Sequence, residues 1–259
     1  MFKKLMALTI VAAMLTGCAT YNEELGRNQI LFGDPQAFAR SANAAWTEIK
    51  QKERVSTDTR YTSRLNRVSQ RLLRAIGENP ASWEYLVFDS RDLNAFALPG
   101  NKIGVYEGIM DIMENDAQLA AVVGHEIAHV EFLHSQERYG QQTLGQLGAV
   151  AAGVAAGSQC DERDARCRQR ALALAGTGAT VFFLLPHSRQ HEREADIGGL
   201  RYMVQAGYDP CEAAAFWQNL IRASAGQQRP PEFLSTHPDP QNRIALLRSE
   251  AQKMGYSCR

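Results

Sequence analysis

The chain has 259 residues, 45% of them hydrophobic, and its 28 Lys and Arg residues balance 28 Asp and Glu residues. This length suits a single domain with a sizeable core. The balanced charge, without a basic stripe or an aromatic platform, argues against nucleic acid as a partner.

The amino terminus has the pattern of a secretory signal peptide. A cationic start, Met1-Phe2-Lys3-Lys4, precedes an apolar run over residues 5–16 that is too short to cross a bilayer as a stable helix. The run ends in Leu15-Thr16-Gly17-Cys18, which resembles a bacterial lipobox. Processing there would leave Cys18 as a lipid-carrying amino terminus anchored by its acyl chains. An ordinary signal peptide with an incidental cysteine is the alternative.

This pattern predicts a lipoprotein signal peptide over residues 1–17, a lipidated tether over 18–33 and a folded domain over 34–259. Residue 19 is Ala, whereas Asp at this position favours the inner membrane in bacterial lipoproteins. We therefore expect a cell-envelope protein, anchored to the outer membrane by its lipid and facing the periplasm.

Helical periodicity dominates the predicted domain. Three Asp-Pro pairs combine an N-capping carboxylate with a proline suited to the first helical position: Asp34-Pro35, Asp209-Pro210 and Asp239-Pro240. Helices are predicted from Pro35 onward and over 59–78, 107–113, 116–135, 140–157, 164–185, 190–206, 210–225 and 240–254. Three strand-like segments predict a small antiparallel sheet: 83–88, 93–98 and 102–106. The predicted fold class is therefore α+β, mainly helical.

Two apolar segments rich in Ala and Gly, residues 144–157 and 171–185, are shorter than the roughly 20 residues that a membrane-spanning helix needs. Because small residues let helices approach closely, we predict that the two segments pack as a helical hairpin. The alternative is that they dip into the membrane.

Apart from Cys18, the chain has four cysteines, and an even number in an oxidising compartment predicts two disulfides. Three pairings are possible. We prefer Cys160 with Cys167, which closes a short charged loop, and Cys211 with Cys258, which ties the carboxyl end to an inner helix. A cysteine metal site is the weaker interpretation, because no CxxC pair is present.

The sequence His125-Glu126-Ile127-Ala128-His129 is an HExxH motif inside a predicted helix. Residues four apart share a helix face, so both imidazoles can reach one ion while Glu126 lies beside its activated water. The uncharged residues around the motif suit a helix buried beneath such a site. The motif therefore predicts a zinc ion, one per chain.

A catalytic zinc needs a third protein ligand and an open position. Glu192 and Asp196 lie four residues apart on a predicted helix, so one could bind the metal while the other orients a ligand histidine. Glu194 is predicted to point away from that face. His191 is a rival ligand, but it lies about 100° from Glu192 and is expected to be a surface or supporting group. The remaining histidines outside the motifs are expected to be solvated or capping groups: His134 and His187.

These segments together resemble the gluzincin metallopeptidases of the HtpX, BepA and LoiP type. The resemblance, over about residues 35–254, rests on His125 to His129, Glu192-Arg193-Glu194-Ala195-Asp196, Thr236-His237-Pro238 followed by Arg243, and Asn94-Ala95-Phe96-Ala97-Leu98-Pro99-Gly100. Asn101 stands where the family often has a second glycine, but asparagine tolerates the left-handed conformation. The lipobox and the lack of a tetratricopeptide array favour the LoiP type.

The resemblance implies a zincin-like peptidase domain in which His125, His129 and Glu192 hold the zinc, in agreement with the spacing. It implies that Glu126 is the general base that takes a proton from the zinc-activated water. It also implies that Asp196 fixes a ligand histidine from behind.

His237 and Arg243 have more than one interpretation. Both could donate to the developing oxyanion, or His237 could occupy the fourth zinc position and keep the enzyme latent. A loop histidine that only caps the helix after Asp239-Pro240 is the third possibility.

The segment formed by Asn94, Ala95, Phe96 and Ala97 is predicted to be an exposed strand edge above the zinc. A polypeptide could add there as an extra strand with weak side-chain preference, although an ordinary sheet edge would look the same. Such a site suits unfolded or misassembled envelope proteins. We therefore predict a zinc-dependent endopeptidase of the cell envelope. The alternative function is a zinc-stabilised chaperone or assembly factor for outer-membrane proteins with latent protease activity.

Overall fold

A computed structural model describes residues 19–31, 34–157, 187–226 and 230–258, with backbone only for 147–157. Several predictions therefore lie outside the described residues, namely the lipidated Cys18, the Cys160–Cys167 pair, the helix over 164–185 and the apolar segment 171–185. Contacts divide the chain into two compact units. The first comprises described residues up to Phe38 and from Gln136 to Gly157, and the second Ala39–Ser135 and the described residues from His187 onward.

Helices make up most of the described chain, and short strands make up two small sheets, so the predicted α+β class is confirmed. The described strands are β1 (Ala19–Asn22), β2 (Arg27–Ile30), β3 (Glu84–Phe88), β4 (Ala95–Leu98) and β5 (Lys102–Tyr106). The described helices are α1 (Pro35–Lys52), α2 (Thr59–Ala75), α3 (Glu107–Asp111), α4 (Asp116–Glu131), α5 (His134–Gly157), α6 (Arg189–Gln205), α7 (Cys211–Ser224), α8 (Glu232–Thr236) and α9 (Pro240–Lys253). The short α8 was not predicted.

The three-stranded sheet of the second unit has the order β3-β5-β4. Strand β5 pairs antiparallel with β4 and parallel with β3, so the sheet is mixed and the prediction of a purely antiparallel sheet is wrong in this respect. Gly100 and Asn101 adopt left-handed φ angles of 80° and 64° in the turn between β4 and β5. The asparagine therefore serves where the related pattern has glycine. The sequence pattern identifies strands, but it does not say which strand lies between the other two.

The zinc-motif helix α4 is buried on most of its surface, with side chains such as Leu119, Val123 and Ile127 fully inaccessible. Helix α6 crosses it at very short range. A Cβ atom on Gly199 would lie only 2.9 Å from the backbone nitrogen of His125, so this crossing requires glycine. The close approach brings the carboxylates of α6 up to the motif histidines of α4.

In the first unit, β1 and β2 pair antiparallel as a hairpin inside the segment predicted as a tether. Arg27 donates to both carboxylate oxygens of the buried Glu137 at 2.7 and 2.8 Å, and Gln29 donates at 2.8 Å. The short strands lack the alternation of apolar residues that would have predicted them. The role of the segment as a lipidated tether stays a prediction.

In two of the three Asp-Pro pairs the aspartate side chain accepts a backbone hydrogen bond at the start of a helix, although the N-cap residue of α7 is Pro210 rather than Asp209. Asp34 accepts a hydrogen bond from the backbone nitrogen of Gln36, and Asp209 accepts one from that of Cys211, each at 2.9 Å. Asp239 instead adopts a left-handed conformation with φ of 70°, and its carboxylate accepts from the Asn242 side chain.

The predicted pairing of Cys211 with Cys258 is confirmed by a disulfide that joins the start of α7 to the carboxyl-terminal segment. Among the residues that the structure describes, no helix has both the length and the apolar composition needed to cross a membrane.

Candidate metal centre

Helix α4 carries the HExxH motif in its last turns. The helix begins after Asn115, whose side-chain oxygen accepts from the backbone nitrogen of Gln118 at 3.0 Å. His125 and His129 lie one turn apart and are both buried, and their Nε2 atoms are 2.9 Å from each other. The spacing of four residues therefore directs both imidazoles to one point, as the motif predicts.

Glu192 reaches the same point from α6, 63 positions beyond His129 in the chain. Its Oε2 lies 3.5 Å from His125 Nε2, and its Oε1 lies 3.4 Å from His129 Nε2. His237 follows α8 and places its Nδ1 3.0 Å from Glu192 Oε2 and 3.2 Å from His125 Nε2. One atom from each of these four residues lies within 4.8 Å of the others.

The spacing of these atoms fits a zinc ion. Four ligands at 2.0–2.1 Å around a tetrahedral ion lie about 3.3 Å from one another. The separations among these nitrogen and oxygen atoms run from 2.9 to 3.5 Å, with His125 and His129 facing different oxygens of the Glu192 carboxylate. Imidazole nitrogens with one carboxylate are also the donor types that zinc prefers. The residues present therefore fit zinc in both chemistry and geometry.

Charged groups surround the far side of His125. Asp196 Oδ1 lies 3.1 Å from His125 Nδ1, as the sequence predicts for a carboxylate that orients a ligand histidine. Arg243 donates through Nε to Asp196 Oδ2 at 2.9 Å and through Nη1 to Glu192 Oε2 at 2.7 Å. Its guanidinium also stacks 4.0 Å from the ring centre of Trp217. These donors are directed at the two carboxylates, which favours an orienting role for Arg243 over oxyanion donation.

Histidines surround the far side of His129. The Nδ1 of His134 lies 2.9 Å from the Nδ1 of His129, and its Nε2 lies 3.1 Å from Glu194 Oε2. His191 stacks on His134 at 4.4 Å between ring centres, and His187 stacks on His129 at 4.0 Å. The six histidines of the chain therefore gather in one region.

The expectation that His134 is solvated or capping is wrong, because its side chain is 0% exposed and faces a motif histidine. His191 is buried beside His134 and lies outside the four-residue ligand cluster, in agreement with a supporting position. His187 is half-buried and stacks on His129. The only local signal for this arrangement is the density of histidines around the motif.

The two motif histidines have opposite electrostatic surroundings. Burial and the charge of Arg243 oppose protonation of His125, but hydrogen bonds to Asp196 and Glu192 outweigh them and raise its pKa to about 9. Burial and the neighbouring histidines hold the pKa of His129 well below 6.5. Burial also opposes ionisation of Glu192, yet the charges of His237 and Arg243 keep the pKa of this carboxyl well below its usual range. The pKa of Asp196 is lowered mainly by Arg243 against the same opposing effect of burial.

Glu126 lies beside the ligand cluster on α4 and is 1% exposed. Its Oε1 makes no hydrogen bond within the described part of the chain and lies 3.4 Å from His237 Nε2. Burial raises the pKa of this carboxyl above its usual range. A carboxylate whose basicity is raised in this way, next to a metal site, is suited to accept a proton.

Strand β4 lies at the edge of its sheet, and the side chains of Ala95, Phe96 and Leu98 are buried on its two faces. The backbone nitrogen of Tyr106 donates to the carbonyl of Asn94 at 3.1 Å, so this pair is hydrogen-bonded. Because bonding alternates along an antiparallel ladder, the N–H and C=O groups of Ala95 and Ala97 face away from β5. The outward face of the strand is therefore its backbone. Asn94 is buried, and its Oδ1 makes no hydrogen bond to a described residue.

Comparison with known proteins identifies a family. A profile of Peptidase family M48 matches residues 59–251, which contain every candidate metal ligand. The chain is 29% identical over 205 residues to the beta-barrel assembly-enhancing protease of Escherichia coli (strain K12), covering 76% of this chain and 40% of the relative.

Two mitochondrial relatives give similar matches. The chain is 33% identical over 183 residues to the mitochondrial metalloendopeptidase OMA1 of Schizosaccharomyces pombe, covering 71% of this chain and 51% of the relative. It is 32% identical over 252 residues to the mitochondrial metalloendopeptidase OMA1 of Bos taurus, covering 90% of this chain and 46% of the relative. The chain thus spans about half the length, or less, of these curated relatives.

Proposed function

Since the chain belongs to peptidase family M48, we propose that it is a zinc-dependent endopeptidase. The observation that carries the proposal is the convergence of His125, His129 and Glu192 at tetrahedral spacing, with the carboxylate of Glu126 beside them. The names of the relatives state an endopeptidase or protease activity. The donor set and the neighbouring base together support the same chemistry here.

In this proposal His125, His129 and Glu192 hold the zinc. A bound zinc ion supplies Lewis acidity, which polarises the peptide carbonyl and makes water more acidic. Glu126 accepts the proton of the attacking water and passes a proton to the leaving amine. Asp196 holds the Nδ1 proton of His125 and leaves Nε2 of that ring bare for the metal.

Replacement of Glu126 by Gln tests the catalytic role. We expect cleavage of an unfolded protein such as casein to fall by about 10²–10⁴-fold, because the proton acceptor is lost, while zinc content stays at one per chain. Glu131→Gln on the same helix is a matched control that should cleave normally. Normal cleavage by Glu126→Gln would remove the proposed general base.

We propose further that His237 acts as a latch in the resting protein. The Nδ1 of His237 lies 3.0 Å from Glu192 Oε2 and 3.2 Å from His125 Nε2, the atoms that would bind the metal. This position supports its use as a fourth zinc ligand in place of water. If His237 is a latch, His237→Ala should raise peptidase activity. If His237 instead donates to the oxyanion, the same substitution should lower peptidase activity. An unchanged rate would refute both roles.

The edge of β4 is the proposed binding site for an extended polypeptide, through the outward N–H and C=O groups of Ala95 and Ala97. Ala97→Pro removes one outward donor and is compatible with an edge strand. We expect KM to rise severalfold with zinc content unchanged. Ala97→Val keeps the N–H and is the control. Equal loss of zinc and of binding in the proline variant would indicate misfolding and count against this site.

We propose that the substrates are unfolded or misassembled envelope proteins and that the protein is of the LoiP type, lipid-anchored at Cys18 in the outer membrane. The lipobox supports this location, as does the name of the Escherichia coli relative, which refers to beta-barrel assembly. Cys18→Ser should release the protein from the membrane fraction. Membrane retention of that variant would contradict the lipid anchor.

A second candidate function is a zinc-stabilised assembly factor for outer-membrane proteins. It is favoured by the position of His237, which would keep cleavage off at rest. Complementation with Glu126→Gln separates the two functions. Retained cellular function in that variant would favour assembly, and lost function would favour proteolysis.

A further inference from the structure

The two proposed histidine ligands are supported from behind by different groups. His125 presents its Nδ1 to a carboxylate, Asp196, at 3.1 Å. His129 presents its Nδ1 to another imidazole, that of His134, at 2.9 Å. His134 in turn presents its Nε2 to Glu194 Oε2 at 3.1 Å. A ligand histidine is usually held through its second nitrogen by a carboxylate, a carbonyl or water, so the imidazole behind His129 requires an explanation.

The positions of the protons follow from the hydrogen bonds. A metal-binding Nε2 on His129 must be bare, so the proton of that neutral ring lies on Nδ1 and is donated to His134. The Nδ1 of His134 is then the acceptor and carries no proton. The proton of His134 lies on Nε2 and is donated to Glu194. With one choice of neutral tautomers, every ring nitrogen of His129 and His134 therefore binds the metal, donates a hydrogen bond or accepts one.

The backbone between the two helices makes this contact possible. In a continuous helix, residues five apart lie about 140° from each other, so His134 would not face His129. Helix α4 instead ends at Glu131, and Leu133 takes a left-handed φ of 55° before α5 begins at His134. This conformation is unfavourable for a residue with a side chain by about 1–2 kcal/mol. A strained turn directly before His134 indicates that its placement is stabilised by surrounding contacts.

The surroundings of His134 also hold it in place. Its side chain is completely buried, and the ring of His191 stacks on it at 12° between ring planes. Gln190 donates to the other oxygen of Glu194 at 3.0 Å, which fixes the carboxylate. The Glu194–His134–His129 series is therefore ordered at each step.

We propose that His134, backed by Glu194, is a positioning residue for the metal: it fixes the tautomer and ring orientation of His129 so that Nε2 can bind zinc. The inference rests on the proposed zinc site. It assigns a role to a histidine outside the HExxH motif and to the middle carboxylate of the Glu192–Asp196 segment.

Zinc affinity, measured by competition with a chromogenic chelator, tests this role directly. We expect His134→Ala to lower the association constant about 10–100-fold, because the ring of His129 loses its acceptor. His134→Gln should restore most of the affinity, since its amide oxygen can accept the same proton. Glu194→Gln should give an intermediate loss, because it keeps an acceptor for His134 but removes the charge. In the cobalt-substituted protein, the change in the visible spectrum should be largest for His134→Ala, smaller for Glu194→Gln and smallest for His134→Gln.

His191→Phe is the matched control, because it keeps a ring stacked on His134 without a donor or acceptor and should bind zinc within twofold of the parent. Thermal unfolding of the metal-free variants separates loss of affinity from loss of fold. If His134→Ala does not fold, His134→Gln and Glu194→Gln decide the question.

Zinc affinity within twofold of the parent in both His134→Ala and Glu194→Gln would overturn the inference. An equal loss in His191→Phe would do the same, since the effect would then be one of packing. If the parent protein itself binds no zinc, it is the proposed function that fails.

Discussion

His125 and His129 lie one turn apart on the same helix, yet the structure surrounds them with opposite kinds of groups. The His125 side is charged, with Asp196, Glu192 and Arg243 in direct contact. Behind His129 lie imidazole rings, with the carboxylate of Glu194 beyond His134, and Glu192 contacts both motif histidines. Two proposed ligands of the same type are thus supported in physically different ways. The charged side depends on mutual neutralisation, whereas the imidazole side depends on hydrogen-bond geometry.

Buried charges stabilise a protein only while each has its partner, because removing one leaves the others desolvated and unpaired. A series of imidazole hydrogen bonds that ends in one partly exposed carboxylate loses much less when one member changes. The two sides of the site should therefore respond differently to mutation, to pH and to changes of the backbone.

The largest difference is expected from removing the charge of Arg243. Arg243→Met keeps a long side chain against Trp217 but leaves the carboxylates of Glu192 and Asp196 without their cation. We expect the metal-free protein to lose about 3–5 kcal/mol of unfolding free energy, measured by urea denaturation in the presence of a chelator.

The counterpart on the imidazole side is Glu194→Gln, which should cost only about 1 kcal/mol under the same conditions. Added zinc should recover part of the loss in Arg243→Met, because a divalent cation neutralises the same carboxylates. Equal losses in the two variants would show that the groups behind His125 and those behind His129 do not differ in this way.

The unfolding free energy of the metal-free protein should fall at both ends of the pH range, at alkaline pH because of His125 and at acid pH because of His129. We call these two decreases the alkaline limb and the acid limb. The pKa of His125 is raised from 6.5 to about 9, so its stabilising contribution is present below pH 6.5 and is lost as pH rises through 9, by about 3 kcal/mol. The pKa of His129 is lowered, so stability is lost as pH falls below 6.5, because the unfolded chain then takes up a proton that the native ring does not.

Urea midpoints measured from pH 5 to pH 9.5 would reveal both limbs. His125→Gln should flatten the alkaline limb, and His129→Gln should flatten the acid limb. An alkaline limb that persists unchanged in His125→Gln would show that another group is responsible.

The smallest expected effect comes from the turn that places His134. Leu133→Gly relieves a left-handed strain of about 1–2 kcal/mol but adds flexibility to the unfolded chain, so the net change should stay within about 1 kcal/mol. Leu133→Ile, with a branched Cβ that tolerates this conformation poorly, should destabilise by about 1–2 kcal/mol.

Thermal unfolding and zinc affinity measured together would test the turn. Leu133→Gly should keep the zinc affinity of the parent. Leu133→Ile should bind zinc more weakly, because a distorted turn displaces His134 from His129. Identical behaviour of the two variants would mean that the turn does not control the position of His134.

Much of this site could be predicted from the sequence because its parts are local. The spacing of His125 and His129, and that of Glu192 and Asp196, follows from the helical repeat, and the helix type was evident from periodicity. The resemblance to known metallopeptidases added His237 to the candidate set, and the structure brings it into the cluster. The even number of cysteines predicts the disulfide between Cys211 and Cys258, which the structure contains.

Other features could not be predicted, because they depend on where distant segments meet. The order of the strands places β5 between β3 and β4, and the sequence of a single strand does not determine this order. The close crossing at Gly199 depends on the packing of α6 against α4. The contacts of His134 with His129 and Glu194 depend on both the left-handed turn at Leu133 and the position of α6.

The sequence by itself determined which residues could share a helix face, because backbone geometry repeats every 3.6 residues whatever the rest of the chain does. Only the tertiary structure decided what lies behind each proposed ligand: a carboxylate and an arginine at His125, and an imidazole at His129. The physical reason is that hydrogen bonds and ion pairs across helices require positions set within fractions of an ångström, and such positions come from the packing of the whole core.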